Sequence, residues 1–159
     1  MEFNFVAILL AAFSSLVVGF IWYNPKVFGT VWMNETGMTE EKAKKSNMAL
    51  TLFFAFVYAF FIAFILQFLV IHQFGVFGVV GGNVENEAYK AFMTEENLNA
   101  FRSFKHGMLH GAFTGLFFAL PVVGVGALFE QKSFKYVLVS GGYWVVTCMV
   151  MGGIICAMK

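Results

Sequence analysis

Charge is what this chain has least of. Of its 159 residues, 12% are Asp, Glu, Lys or Arg, about half the share of roughly 25% found in soluble domains. The formal net charge of +1 leaves no basic footprint, so no nucleic-acid partner is expected. There are two prolines and two cysteines. Cys148 and Cys156 lie in one apolar run. On a helix they are separated by about 12 Å of rise, beyond the reach of a disulfide, so they do not indicate a redox compartment. No HExxH, CxxC, nucleophile elbow or phosphate-binding glycine loop is present. No carboxylate lies deep in an apolar run, which argues against a proton- or sodium-coupled transporter, because such proteins hold ionisable groups near the midplane. The start, "MEFNF", carries Glu2 where a secretory signal has basic residues. The first apolar run therefore reads as a retained span.

What is abundant is apolar surface. The chain is 60% hydrophobic, with 22 Phe and a mean hydropathy of +0.78. A membrane-crossing helix needs about 20 mostly apolar residues. Four runs qualify, at 3–23, 48–71, 106–129 and 136–158. They do not alternate polar and apolar, and an open sheet would leave backbone groups unsatisfied in lipid. The predicted fold class is an all-α membrane four-helix bundle, one membrane domain over 1–159.

The connections are read from their breakers and caps. Pro25 should end the first helix near Tyr23. Residues 26–33, "KVFGTVWM", predict an interfacial segment anchored by Trp22, Tyr23 and Trp32. "TGMTEEKAKKSN" predicts a short solvated helix with Thr39 as N-cap, acids first and lysines last. The glycine-rich "HQFGVFGVVGGN" is too broken to span. Residues 85–105 predict an amphipathic surface helix or helix pair, with Tyr89, Phe92, Met93, Phe101 and Phe104 as its apolar face and Thr94 as an internal cap. The "EQKSFK" turn is tight, so the last two spans are antiparallel neighbours. One side of the membrane holds Lys26, Lys42, Lys44, Lys45, Lys132 and Lys135. The other holds Lys90, Arg102, Lys105 and Lys159. The excess of bases on the first side puts both termini outside the cytoplasm.

Small residues recur every fourth position in three spans: Ala11, Ser15 and Gly19; Ala55, Ala59 and Ala63; Gly107, Gly111 and Gly115. In lipid, helices associate through close backbone approach rather than a hydrophobic drive. The stripes predict packing within the chain, or, for the glycine stripe, an interface between copies. The ionisable side chains left inside are histidines. His72 ends the second span, while His106 and His110 open the third one turn apart, all at one membrane face. That spacing suits a shared metal, with Cys156 near the same face as a soft ligand. The competing reading is interfacial histidines bonded to backbone or water, and no cofactor is expected.

At Gly19 to Met33 the chain has Gly19, Trp22, Tyr23, Pro25, Phe28, Gly29, Trp32 and Met33 in the pattern Gly-x-x-Trp-Tyr-x-Pro-x-x-Phe-Gly-x-x-Trp-Met. It thereby resembles a family of small, uncharacterised bacterial membrane proteins, one of the domain-of-unknown-function families. The likeness continues in "TEEKAKKSNMA", "LFEQKSFKYVLVSGGYW" and "VMGGIICA". It covers the four spans but not the second connection. It implies four helices in a bacterial inner membrane and implies no activity. Read physically, the motif is a structural device in which proline releases the helix and aromatics return to the interface; it also suits the wall of a ligand pocket. The functional expectation is a non-enzymatic membrane protein that forms a homo-oligomer or joins another membrane protein. The alternatives are a channel or small-solute permease following Ser15, Thr114 and Thr147, and a histidine-based metal or haem site.

Overall fold

The computed structural model describes residues 2–158; Met1 and Lys159, the latter one of the bases counted on the second side, lie outside the described residues. Among the described residues the chain is helical, with no strand. Four helices are long and apolar enough to cross a membrane: Phe5–Trp22, Met48–Val70, Phe104–Phe129 and Phe134–Ala157. Their limits differ from the expected ones by a residue or two, and capping explains the starts. The side chains of Asn4, Ser103 and Ser133 accept from the backbone N–H groups of Ala7, His106 and Tyr136 at 2.9, 3.3 and 3.1 Å. Each cap satisfies a donor that the first helical turn leaves open. The third and fourth helices thus begin before Lys105 and Lys135, residues that charge alone had placed outside.

Both prolines sit beside a widened, π-type turn. Asn24 caps Pro25–Gly29, and the Gly29 N–H reaches back five residues to the Asn24 carbonyl at 2.9 Å. An α-helix, Thr30–Thr36, follows directly. The segment expected at 26–33 is therefore a π turn running into a short helix. The third span, expected to be one uniform helix, consists of Phe104–Thr114, a π turn at Gly115–Ala119 and Leu120–Phe129. Pro121 has no N–H to offer the preceding turn. The Leu120 N–H bonds to the Gly115 carbonyl instead, the five-residue reach of a π turn.

The first connection carries the expected short helix, Glu40–Lys45, with Thr39 accepting from the Lys42 N–H at 3.2 Å. The second connection holds Gln73–Val79, Glu87–Phe92 and Glu95–Leu98. Thr94 does cap the last of these, accepting from the Asn97 N–H at 3.3 Å. Of the two forms expected over residues 85–105, the pair of short helices is the one present, with Tyr89 buried and Phe92, Phe101 and Phe104 exposed. Buried Gln73 secures the connection by donating to the carbonyls of Asn97 and Ala100 at 2.8 and 3.0 Å.

The fourth span is the hub. Of its most apolar 18 residues 50% are buried, against 11% in the third span. It packs on all three other spans and most extensively on the third. The core gathers Ile8, Ala11 and Ala12 of the first span, Ala59, Ala63, Leu66 and Val70 of the second, and Met151, Ile155 and Cys156 of the fourth. The glycine stripe is used inside the chain. A Cβ added at Gly107 would run into the Gly152 carbonyl, one at Gly111 into the Cys148 carbonyl, and one at Gly115 would lie 2.5 Å from the Val145 Cα. Past the π turn the contact continues with Leu120 against Gly141, Gly124 facing Val137, and buried Ala127. Ala11 and Ser15 are buried, and Gly19 faces the ring of Tyr143. The second stripe divides: Ala59 and Ala63 are buried, whereas Ala55 is exposed. At Ala55 the helix has moved away from its neighbours, so small size finds nothing in the chain to pack on.

Candidate functional site

The two ends of the bundle are built differently. At the end holding the first and third connections, the aromatic motif forms a clamp. Trp22 stacks obliquely on Phe28, with ring centroids 4.4 Å apart, and its Nε1–H donates to the Val139 carbonyl at 3.0 Å. Tyr23 sits between Trp32 and Tyr143, at 5.4 and 5.2 Å. The Tyr143 hydroxyl donates to the Ser15 carbonyl at 3.1 Å. A Cβ at Gly29 would lie 2.8 Å from the Asn24 carbonyl carbon, so the motif glycine is required by the closeness of the π turn. Beneath the clamp, Glu35 accepts from the Ser133 hydroxyl and lies 4.0 Å from the Lys135 ammonium. Trp22 and Tyr23 thus fasten the first span to the fourth, and Pro25, Phe28, Gly29 and Trp32 shape the turn that packs around them.

At the opposite end three histidines converge from two elements. His72 follows the second span, and Asn47 to His72 is one continuous run of chain across the membrane. His106 and His110 lie one turn apart on the third span. The Nε2 atoms of His72 and His106 are 2.8 Å apart, a distance at which one ring donates to the other. The three ring centroids are 4.5, 4.8 and 5.0 Å from one another. One nitrogen from each ring lies within 4.8 Å of the others. His72 is exposed, and the other two are half-buried. The ring of Phe101 stands over the cluster, 5.1 Å from His106 and 6.0 Å from His72. Phe101 holds a backbone φ of 62°, a left-handed conformation that costs a bulky residue free energy.

Cys156 does not join this group. Its thiol lies 3.4 Å from the Val70 carbonyl and 3.3 Å from the Phe101 carbonyl, buried between them. It thereby ties the second span, the end of the second connection and the fourth span together. The sequence alone placed Arg102 only among the bases of its side of the membrane. Its Nε and Nη2 donate to the carbonyls of Cys156 and Met158 at 2.9 and 2.6 Å. These groups lie at the C-terminus of the fourth span, where a helix leaves carbonyls unsatisfied and favours a cation. Burial lowers the pKa of Arg102, with Cys156 acting in the opposite direction. One signal could have found it: Arg102 is an arginine two residues before a helix start, at the membrane face where the fourth span ends. Beside it lies a small cavity of about 70 Å³ lined by Glu2, Asn4, Gln67, Arg102 and apolar neighbours.

Two of the three residues suggested for a conducting path use their hydroxyls locally. Ser15 donates to the Ala12 carbonyl at 2.7 Å and Thr114 to the His110 carbonyl at 2.9 Å. Thr147 is fully buried. An apolar groove of about 510 Å³, open to the side, lies between the first and fourth spans, lined by Leu10, Phe13, Val17, Val150 and Ile154 among others.

A model of the family described as "Protein of unknown function (DUF1761)" matches residues 6–156. That range takes in all four spans and also the second connection, which the motif resemblance had left aside. No curated protein and no solved structure matches the chain.

Proposed function

The chain belongs to the DUF1761 family, and we propose that it acts as a non-enzymatic membrane protein that assembles with a second copy of itself in a bacterial inner membrane. One observation carries this reading. Tyr58 lies near the middle of the second span, about 15 Å from one helix end and 18 Å from the other at 1.5 Å per residue. It is 63% exposed, and its contact within the chain is a ring approach to Phe54 at 6.3 Å. Among the described residues nothing hydrogen-bonds its hydroxyl. In hydrocarbon an unpartnered hydroxyl costs on the order of 4–8 kcal/mol, so the group calls for a partner from outside. One turn before it is Ala55, exposed and small enough for a second helix to approach closely. A two-fold pairing of second spans would give each Tyr58 a backbone or side-chain acceptor on the partner helix, with exposed Ala55 at the point of close approach.

The reading predicts a dimer mass for purified protein in lipid nanodiscs, with Tyr58→Phe shifting the population toward monomer. A monomer mass in the unmodified protein at native-like lipid content would sink it. A heteromeric complex with no self-association would transfer the same face to another membrane protein. The channel alternative predicts solute or ion flux into liposomes. Orientation follows from the excess of bases: Lys44 lies inside the cytoplasm and both termini outside. A cysteine at Lys44 should resist an impermeant thiol reagent in intact cells; Cys148 and Cys156 are both buried, so the label reads the introduced thiol. Labelling from outside reverses the assignment.

A further inference from the structure

We propose that His72, His106 and His110 bind one divalent first-row transition-metal ion of the zinc type, at the water-facing end of the bundle. This goes beyond the assembly reading and departs from the expectation that no cofactor is involved.

Three observations carry it. First, the cluster is assembled by the fold rather than by the sequence: His72 and His106 are contributed by different segments, and each ring offers a nitrogen within 4.8 Å of the other two. A tetrahedral zinc with bonds of about 2.0–2.1 Å sets its nitrogens about 3.3 Å apart. The separations here bracket that value, from 2.8 Å between His72 and His106 up to 4.8 Å. Rotations that move ring nitrogens by about 1 Å complete the geometry. Second, a purely structural arrangement needs two of these rings, not three. The His72–His106 contact satisfies one nitrogen on each, while His110 sits 4.5 and 4.8 Å from those rings with no hydrogen bond to its ring nitrogens among the described residues. An ion gives all three a common partner. Third, Phe101 is held in a left-handed conformation with its ring over His72 and His106. Strain of this kind persists where the surroundings over-determine a position, and it concentrates at ligand sites.

The donor set selects the ion. Three neutral imidazoles, with no thiolate or carboxylate in the group, suit zinc, cobalt, nickel and copper(II) and do not suit magnesium or calcium. Three protein ligands leave a fourth position for water or a small anion, the arrangement of an accessible rather than a purely structural site. His72 is exposed, so the ion enters from the aqueous phase and does not cross the bilayer to reach its ligands.

The test uses the full chain in lipid nanodiscs, without a histidine tag and stripped by a chelator. Cobalt(II) is the probe, because a four-coordinate site gives visible ligand-field absorption. The expected result is saturable uptake of one cobalt per chain, displaced by zinc. His110→Gln, which keeps a hydrogen-bonding group of similar reach, should weaken cobalt binding at least about tenfold, since even partners one shell further out are worth 10–100-fold. His72→Gln, outside the spans, should do the same while leaving the third helix's own sequence unchanged. Circular dichroism and nanodisc mass verify that both variants remain folded. No saturable uptake by the unmodified chain, or unchanged affinity in either folded variant, overturns the proposal. The dimer mass is measured on the same samples, so failure of the metal site and failure of the assembly reading are separable.

Discussion

The seam between the third and fourth spans and the opening half of the second span are both apolar, yet one is tightly packed and the other is mostly exposed, with Phe56 reaching the core. Along the seam, Gly107 and Gly111 bring their backbone against Gly152 and Cys148 with no room for a Cβ. Along Met48–Tyr58, Met48, Leu50, Leu52, Phe53, Phe54 and Tyr58 all face outward. In water these two stretches would compete for the same core. In lipid, burying Phe53 gains little because the bilayer already solvates it, so side-chain size and not hydropathy decides which faces meet.

This contrast can be broken at the seam first. Gly111→Leu places a bulky side chain against backbone, which cannot yield as a side chain can. Overpacking typically costs about 1–3 kcal/mol and sometimes more, and the loss here should fall at or above the upper end, read as a collapse in resistance to SDS unfolding. Next in size is Arg102→Gln, which removes two charge-assisted bonds to the end of the fourth span. Bonds to charged groups contribute about 1.5–3 kcal/mol, and with Arg102 partly exposed a loss near the lower figure is expected, together with faster amide exchange at Cys156–Met158. Trp22→Phe should cost about 0.5–1.5 kcal/mol by deleting the bond to Val139 while keeping the ring contact with Phe28. Smallest is Ala55→Leu. It should leave the single chain's unfolding within about 0.5 kcal/mol of the original while weakening dimerisation. A large loss of monomer stability there would mean that Ala55 does have a partner within the chain.

The fold was largely legible. Charge-free runs of sufficient length gave the four spans, and the caps Thr39 and Thr94 stood where local chemistry put them. Helix starts were less legible, because Ser103 and Ser133 act through one hydrogen bond each and leave no trace in hydropathy. The division of the Ala55–Ala59–Ala63 stripe was invisible, since period alone does not say where a neighbouring helix departs. At the candidate site the convergence of three histidines followed from topology. The exclusion of Cys156 did not, because it depends on which carbonyls its thiol meets, and neither did the cap formed by Arg102, which spans 54 residues of sequence.

The π turn beside Pro121 has a consequence for how this helix tolerates change. The contact positions on the third span run 107, 111, 115, then 120, 124 and 127. The step of five marks a slip in phase: one extra residue is absorbed between Gly115 and Leu120, and everything after it is turned by about 100° relative to a uniform helix. Length and rotation are therefore interchangeable here. Deleting one residue from Leu116–Ala119 would remove the extra residue and leave a plain helix with Leu120, Gly124 and Ala127 still on the fourth span, whereas inserting one there would turn them off it by about 100° for only about 1.5 Å of added length, with the histidine end in register either way.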